Sequence, residues 1–464
     1  MSEPRPANGT VPAVRPTWKD SDRFVPRAFV RPALRFTQVE AAGGIVMLIA
    51  ALAALVWANS PWHESYERFL STPFDLSFGS LVKLELDLHA VVNDGLMTLF
   101  FLLAGLEIKR QLATGELRDR RAAALPAIAA LGGMLVPALI YTLLNDGHPG
   151  ASGWGIPVAT DIAVAVGVVT LAGSRVPLGA RIFILTLAVV DDVGGIVVIA
   201  IFYADDVRLA WLALAVLSVL VTLSLHRLEV RSMLPYVALG SVCWYSMHRC
   251  GVEAAIAGVV FGLLTPTRPF HDPSEFGDVA HGLVDRIETS DEVAAEDLAR
   301  YARETASPLE RIEGRLNLWV AFGIVPLFAL VNAGVRLDVA GLDARVTLGV
   351  VAGLVLGKTI GVFGGAWLAV RLGIGRLPAS VTWRHMVGLA VTAGIGFTVA
   401  LYVTGLSFDD AALVSSAKIG ILGASAAAGA LGFLLLRTVP VPRYEEGEPV
   451  AVPVVGSTRA GASR

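Results

Sequence analysis

The stretch Ile182-Phe-Ile-Leu-Thr-Leu-Ala-Val-Val-Asp191-Asp192-Val-Gly-Gly-Ile-Val-Val-Ile-Ala-Ile-Phe202 is an apolar run of membrane-spanning length with two adjacent acids at its centre. Each aspartate lies about ten residues from an end, so in a helix both carboxylates fall near the bilayer midplane. A charge at that depth costs roughly 2.5–3.5 kcal/mol on insertion scales and more in simulations. Two such charges mark a functional centre, and the remaining chain reads as the scaffold around it.

The 464 residues are 55% hydrophobic and 17% charged, with a mean hydropathy of +0.65. Repeated long apolar runs on that background specify an all-α polytopic membrane protein. A net charge of −3, with no basic stripe interleaved with aromatics, argues against a nucleic-acid partner. Cys243 and Cys250 share one apolar run and read as packing thiols, not as a disulfide staple or metal site.

Residues 1–38 are rich in proline and arginine and lack periodicity, which predicts a disordered basic tail; 438–464 reads as a second disordered tail. Ala58-Asn-Ser60 faintly resembles a signal-peptidase site, but the apolar run before it is too long for a secretory signal. Between the tails, 39–437 forms the transmembrane domain. Twelve helices are expected near 41–59, 90–108, 122–144, 157–172, 180–203, 209–225, 234–249, 251–266, 316–334, 346–370, 385–406 and 411–437. Between the first two, residues 72–87 alternate on both sides of Gly79-Ser80 and predict a small β-hairpin exposed to water.

Basic residues cluster in alternate connections: Lys109, Arg110, Arg118, Arg120 and Arg121; Arg175; Arg227 and Arg231; Arg268 to Arg315; Arg376 and Arg384. The positive-inside rule places these connections and the N-terminal tail in the cytoplasm. An even helix count independently returns the C-terminus to that side, leaving the hairpin extracytoplasmic. The cytoplasmic loop 267–315 is long and acidic (Asp285, Glu288, Asp291, Glu292, Glu296, Asp297, Glu304) and predicts either an amphipathic surface helix or a solvated loop.

Three other features share the midplane. The fourth run opens Gly155-Ile-Pro157-Val-Ala-Thr160-Asp161, where proline removes a backbone donor and Thr and Asp supply oxygens, as in a broken helix. The tenth carries Lys358 at its centre. The eleventh contains Thr392-Ala-Gly394-Ile-Gly396-Phe-Thr398, a second weakened stretch. Paired interruptions in two halves of a chain point to a midplane binding site. Small hard cations take oxygen ligands. Neighbouring helical residues point about 100° apart, so only one of Asp191 and Asp192 can face an ion together with Asp161 and Thr160. The other needs a separate partner, and Lys358 is the intramembrane lysine near that depth. Clustered carboxylates in a low dielectric do not all stay charged, so protons and a cation compete for the same oxygens. Structural readings compete at each position. Asp191 and Asp192 would be polar contacts between helices, Asp161 a helix cap, Lys358 a snorkelling side chain, and the glycines close-packing residues.

Several rare motifs recur here in a familiar order. They are Phe100-Phe-Leu-Leu-Ala-Gly-Leu-Glu107-Ile-Lys-Arg110, Gly155-Ile-Pro-Val-Ala-Thr-Asp-Ile-Ala163, Gly173-Ser-Arg-Val-Pro177, Leu187-Ala-Val-Val-Asp-Asp-Val-Gly194, Val331-Asn-Ala-Gly334, Leu356-Gly-Lys358 and Gly394-Ile-Gly-Phe-Thr398. Over roughly residues 36–437 the chain resembles the NhaA family of bacterial sodium/proton antiporters. The resemblance, not the composition, implies inverted repeats with two interrupted crossing helices at mid-membrane. It also implies electrogenic exchange of Na+ or Li+ for protons across the bacterial inner membrane, a part in pH homeostasis and salt tolerance, and no cofactor. By the same resemblance, Asp192 matches the principal ion-binding and proton-carrying carboxylate, and Asp192, Asp161 and Thr160 would ligate Na+. Asp191 matches a neighbour that pairs with a lysine in some states, and Lys358 matches that lysine. Asp161 would also balance half-helix dipoles. Asp94 matches an accessory acid near the site. Glu107, Arg110, Glu253 and Glu313 match positions tied to the cytoplasmic entrance and pH response. Pro157, Gly394 and Gly396 match the interruptions, and the 72–87 hairpin matches an element used in a homodimer.

The chain departs from the family pattern at several points. Gln111 follows Arg110 where an acid is expected; Glu253, Gly314 and Asn317 stand where histidines often do; Thr359 replaces a proline; and the acidic loop is enlarged. The ion-site positions are intact, so the departures fall on the pH response. Three rival readings compete. An intramembrane aspartyl protease needs one acid on each of two helices sharing a proton and no lysine. A sodium-coupled organic-anion symporter needs a larger polar cavity. An inactive relative has no use for intact Asp161, Asp191, Asp192 and Lys358.

Overall fold

The computed structural model describes residues 42–440 apart from 79–81, 205–206, 231, 270–275, 277–278, 282, 285–291 and 338–340. The tail 1–38, most of 438–464, the hairpin turn at Gly79-Ser80, and Asp285, Glu288 and Asp291 of the acidic loop lie outside the described residues.

Helix α1 (Ala42–Ala58) turns by 119° into α2 (His63–Leu70). This second helix was not expected. Its sequence, HESYERFL, is short and polar on one side, and it is held by Tyr66, whose hydroxyl donates to Leu330 O at 2.8 Å. The hairpin then forms as expected, with β1 (Pro73–Phe78) antiparallel to β2 (Val82–Asp87) in register Pro73↔Asp87 through Phe78↔Val82. Asp87 closes β2 and caps the next helix, accepting from Ala90 N at 2.7 Å.

Next come α3 (Leu88–Ala113) and α4 (Arg120–Leu144). A 3₁₀ segment, Pro149–Val158, precedes α5 (Ile162–Leu171), and α6 (Leu178–Phe202) carries the aspartate pair. They are followed by α7 (Leu209–Arg227), α8 (Met233–Cys250), α9 (Ile256–Leu264), α10 (Glu292–Glu304), α11 (Pro308–Asn332) and α12 (Ala344–Arg371). The described chain closes with α13 (Trp383–Thr392), α14 (Phe397–Ser407) and α15 (Ala411–Thr438). Within the acidic loop α10 is helical, as one of the two expectations had it.

Among the described residues, seven helices are long and apolar enough to cross a membrane, or ten if each bent pair is one span, against the twelve expected. The shortfall falls on the runs 234–249 and 251–266. In α8, Tyr236, Trp244, Tyr245, His248 and Arg249 dilute the apolar content. In α9 only nine residues are helical, because Gly251, at φ 88, turns the chain and the next four residues form a connection. The ninth helix also starts earlier than expected, at Pro308 instead of 316. Ser307 and Glu310 form a reciprocal cap with proline at the first turn.

Helices α4 and α12 cross at backbone contact. A Cβ on Gly132 would collide with the carbonyl oxygen of Gly361, and one on Gly361 with that of Gly132. Small residues at a crossing let two membrane helices approach to backbone contact. This approach carries α12, and Lys358 with it, past α4 toward α6. Gly361→Leu is therefore expected to cost about 1–3 kcal/mol or more by overpacking. The thermal midpoint of the detergent-solubilised protein should fall accordingly. Gly364→Leu, three residues on, meets nothing within 4 Å and should leave the midpoint in place; equal midpoints for the two variants would contradict the crossing.

Candidate functional site

Two helix breaks meet at the centre of the molecule and satisfy each other. The 3₁₀ segment ends at Val158, and Ala159 and Asp161 are extended (ψ 150 and 104) before α5 resumes. The second break, 393–396, separates α13 from α14. The bends are 47° and 44°. Asp161 N donates to Ile395 O at 2.6 Å, Thr160 Oγ1 donates to Ala393 O at 2.8 Å, and Thr398 N donates to Asp161 Oδ2 at 3.1 Å. Backbone groups freed by one interruption are thus bonded by the other, as apolar surroundings require. Gly396 makes the approach possible, since a Cβ there would stand 3.0 Å from Ala159 O and 2.7 Å from a Leu354 methyl. Pro157 packs against α12 at Gly353.

Asp161 also caps α5, accepting from Val164 N at 3.1 Å through Oδ1. The structural reading of this residue is therefore correct, and it coexists with a place in the acidic cluster. Thr160 is fully buried and Asp161 nearly so.

Of the two adjacent aspartates on α6, Asp191 takes the lysine. Lys358 Nζ donates to Asp191 Oδ2 at 2.6 Å, and both side chains are wholly buried. Lys358 therefore does not snorkel. Asp192 points elsewhere on the helix and is half-buried. It lies within electrostatic reach of Asp191, Asp161 and Lys358, and Thr160 lies within reach of Asp191. The Oδ1 atoms of both Asp191 and Asp192 are buried and accept no hydrogen bond among the described residues. Unsatisfied buried oxygens are costly and call for a functional account. No three acidic, histidine or cysteine side chains among the described residues converge tightly enough to hold a metal ion by themselves. A small cation at Asp192 would need hydroxyl, carbonyl or water oxygens beside the carboxylates.

The remaining expected residues separate into two further groups. Arg110 pairs with Glu107 and lies 3.3 Å from Glu313 through Nε, while Gln111 Nε2 donates to Glu107 Oε1 at 2.9 Å. The substituted Gln111 thus remains wired into this cluster. Glu253, expected with these residues, is elsewhere. Its Oε1 accepts from the Tyr402 hydroxyl at 2.6 Å, and it lies within electrostatic reach of Asp94. Asp94 stands 3.7 Å from His248 Nδ1, and its carbonyl accepts from Trp244 Nε1 at 2.8 Å. Asp94 and Glu107 share α3 about 20 Å apart. Asp94 belongs to this second group, not to the aspartates of α6.

Sequence reading missed His248 and Tyr402. Neither sits in a quoted motif, and the Glu253–Tyr402 contact joins residues 149 apart. It also missed the π-helical turns at 91–96 and 352–357, which hold Asp94 and lead directly into Lys358. Such turns are frequent at functional sites, and Gly95 and Gly357 beside the two charges were the available signal.

The buried ion pair has a testable cost. Removing one partner strands a charge and costs about 3–5 kcal/mol, whereas replacing both is close to neutral. Lys358→Met alone should lower the thermal midpoint, and adding Asp191→Asn should restore most of it. A double variant as unstable as the single one would show that the pair does not carry this burial.

Comparison with known proteins identifies the family of the chain. The family profile described as Na+/H+ antiporter 1 matches residues 34–436. The Na(+)/H(+) antiporter NhaA 2 of Myxococcus xanthus is 46% identical over 419 residues, covering 88% of this chain and 89% of its own. NhaA 2 of Sorangium cellulosum is 44% identical, covering 91% and 93%, and NhaA of Rhodopirellula baltica is 43% identical, covering 89% and 96%. With most of its length matched and several buried charges at the crossing of two broken helices, the chain belongs to the NhaA family of Na+/H+ antiporters, which are membrane transporters and not enzymes.

Proposed function

We propose that the protein exchanges Na+ or Li+ for protons across the bacterial inner membrane, electrogenically and by alternating access. Asp192, Asp161 and Thr160 hold the cation, and Asp191 and Lys358 set the charge beside it. The observation that carries this reading is the difference between two adjacent acids: Asp191 is fully buried and paired with Lys358 at 2.6 Å, while Asp192 is half-buried and has no ion-pair partner among the described residues. Three carboxylates and one ammonium sum to two negative charges when all are ionised. Two protons neutralise that sum and one monovalent cation halves it, so exchanging the two loads moves net charge. Competition for the same oxygens couples the fluxes, because the site loaded with protons has no charge left to hold the metal.

In this reading both termini face the cytoplasm, the hairpin faces outward, and β1–β2 supports a homodimer. Glu107, Arg110 and Glu313 line the cytoplasmic entrance. Glu253 and Asp94 flank the outward side, where the extra acid in place of a histidine alters the pH response. The twelve expected runs form two inverted repeats whose interruptions are the 159–161 and 393–396 breaks.

The test is Na+-dependent dequenching of a pH dye in everted vesicles. Wild type should dissipate the proton gradient on Na+ addition and Asp192→Asn should not; equal responses would sink the assignment. Lys358→Ala should retain more exchange than Asp192→Asn, since the lysine is a partner and not the carrier.

The same vesicles test the pH response. With Gly314 and Asn317 in place of histidines, the midpoint and steepness of activation should differ from those of a histidine-bearing relative. Coincident profiles would remove any role for these positions.

A further inference from the structure

His385 lies in the first turn of α13 and is 1% exposed. Its Nδ1 accepts from Thr382 N at 3.1 Å and lies 2.9 Å from Thr382 Oγ1. A backbone N–H only donates, so Nδ1 carries no proton and the tautomer is fixed by the network. The proton is on Nε2, which donates to Arg175 O at 3.0 Å. Arg175 belongs to the turn Gly173–Arg175 that follows α5, and its guanidinium donates to the carbonyls of Arg437 and Val439 at the end of α15. One buried imidazole therefore joins the start of α13 to the end of α5, beside the cap of α15.

The other ends of those two half-helices are already joined, at the breaks, by Asp161 N to Ile395 O and Thr160 Oγ1 to Ala393 O. We infer that neutral His385 is a positioning residue that locks α5 and α13 into one unit and so fixes the crossing at Asp161, and that protonating the ring releases it. A protonated Nδ1 would aim an N–H at the Thr382 N–H, so the cap is lost with the proton gained.

The charged groups on the elements packed against α13 divide by depth. Arg175, Arg181, Arg371 and Arg437, with Arg376 in the connection and Arg384 on α13 itself, lie toward the His385 end. Asp161, Asp191, Asp192 and Lys358 lie toward the break, with Arg345 and Lys418 beyond it. The group near His385 is cationic, so these elements offer a protonated ring no carboxylate there.

The inference rests on the exchange activity proposed above, and two readouts separate their failures. In everted vesicles, His385→Gln keeps an amide donor for Arg175 O without a titrating ring. Its exchange at pH 8.5 should stay within about twofold of wild type. Its ratio of activity at pH 5.5 to that at pH 8.5 should exceed the wild-type ratio by about fivefold, the size one lost hydrogen bond commands. Superimposable profiles would overturn the role of His385. Hydrogen exchange of the segment 382–392 in the solubilised protein does not depend on transport. Corrected for intrinsic rates, protection should fall between pH 8.5 and pH 5.5 in wild type and hold in His385→Gln. Parallel behaviour in both proteins would overturn the clamp even if no exchange were detected, whereas lost protection without Na+-driven dequenching in wild type would overturn only the exchange reading.

Discussion

A membrane interior gives no water to an unpaired backbone group, and each one left open costs several kcal/mol. The central crossing exists because two helix interruptions are complementary. The N–H of Asp161 finds the carbonyl of Ile395, the Thr160 hydroxyl finds that of Ala393, and the N–H of Thr398 finds the Asp161 carboxylate. Either break alone would leave these groups stranded. Since both are needed at one depth, everything that sets their register becomes part of the site. That includes Gly396, which admits Ala159 O, and the Gly132–Gly361 contact, which brings α12 alongside.

Charge placement follows from the same economy. Lys358 reaches Asp191 past Gly133, where a Cβ would meet the lysine Cδ only in ordinary contact at 3.8 Å but collide with Val362 Cγ2 at 2.7 Å. An ion pair with both side chains at zero exposure gains its stability from geometry and from the absence of competing water, and it fails badly if halved. Asp192 has no such partner among the described residues. The acid without an ammonium partner is thus next in sequence to the acid whose charge is spoken for.

Much of this was legible because it was expensive. Aspartates and a lysine inside apolar runs are too costly to be incidental, and Pro157 and the Gly394/Gly396 pair announced where the helices would open. The choice between Asp191 and Asp192 was not legible from residue types alone. The 100° rule requires that they part company but does not say which faces α12; the family resemblance supplied that assignment, and the 2.6 Å contact agrees with it. The early start of α11 could have been read, since Ser307-Pro-Leu-Glu310 has the form of a helix start, but the acidic character of the loop masked it. The grouping of Glu253 with Asp94, His248 and Tyr402 had no local signal. These residues come from α3, α8, α14 and the connection before α9, and only the fold brings them together.

Helix α14 touches two of the separate groups. Thr398 and Tyr402 are four residues apart and so share a face of this helix. One bonds Asp161 through its backbone, and the other bonds Glu253 through its hydroxyl. Tyr402 is 4% exposed, with the rings of Phe101 and Phe328 at 5.4 and 6.4 Å, so its hydroxyl cannot follow Glu253 without the helix moving too. The Thr398 bond runs along the axis at the start of the helix and the Tyr402 bond leaves its side one turn on, so two carboxylates hold α14 near its broken end.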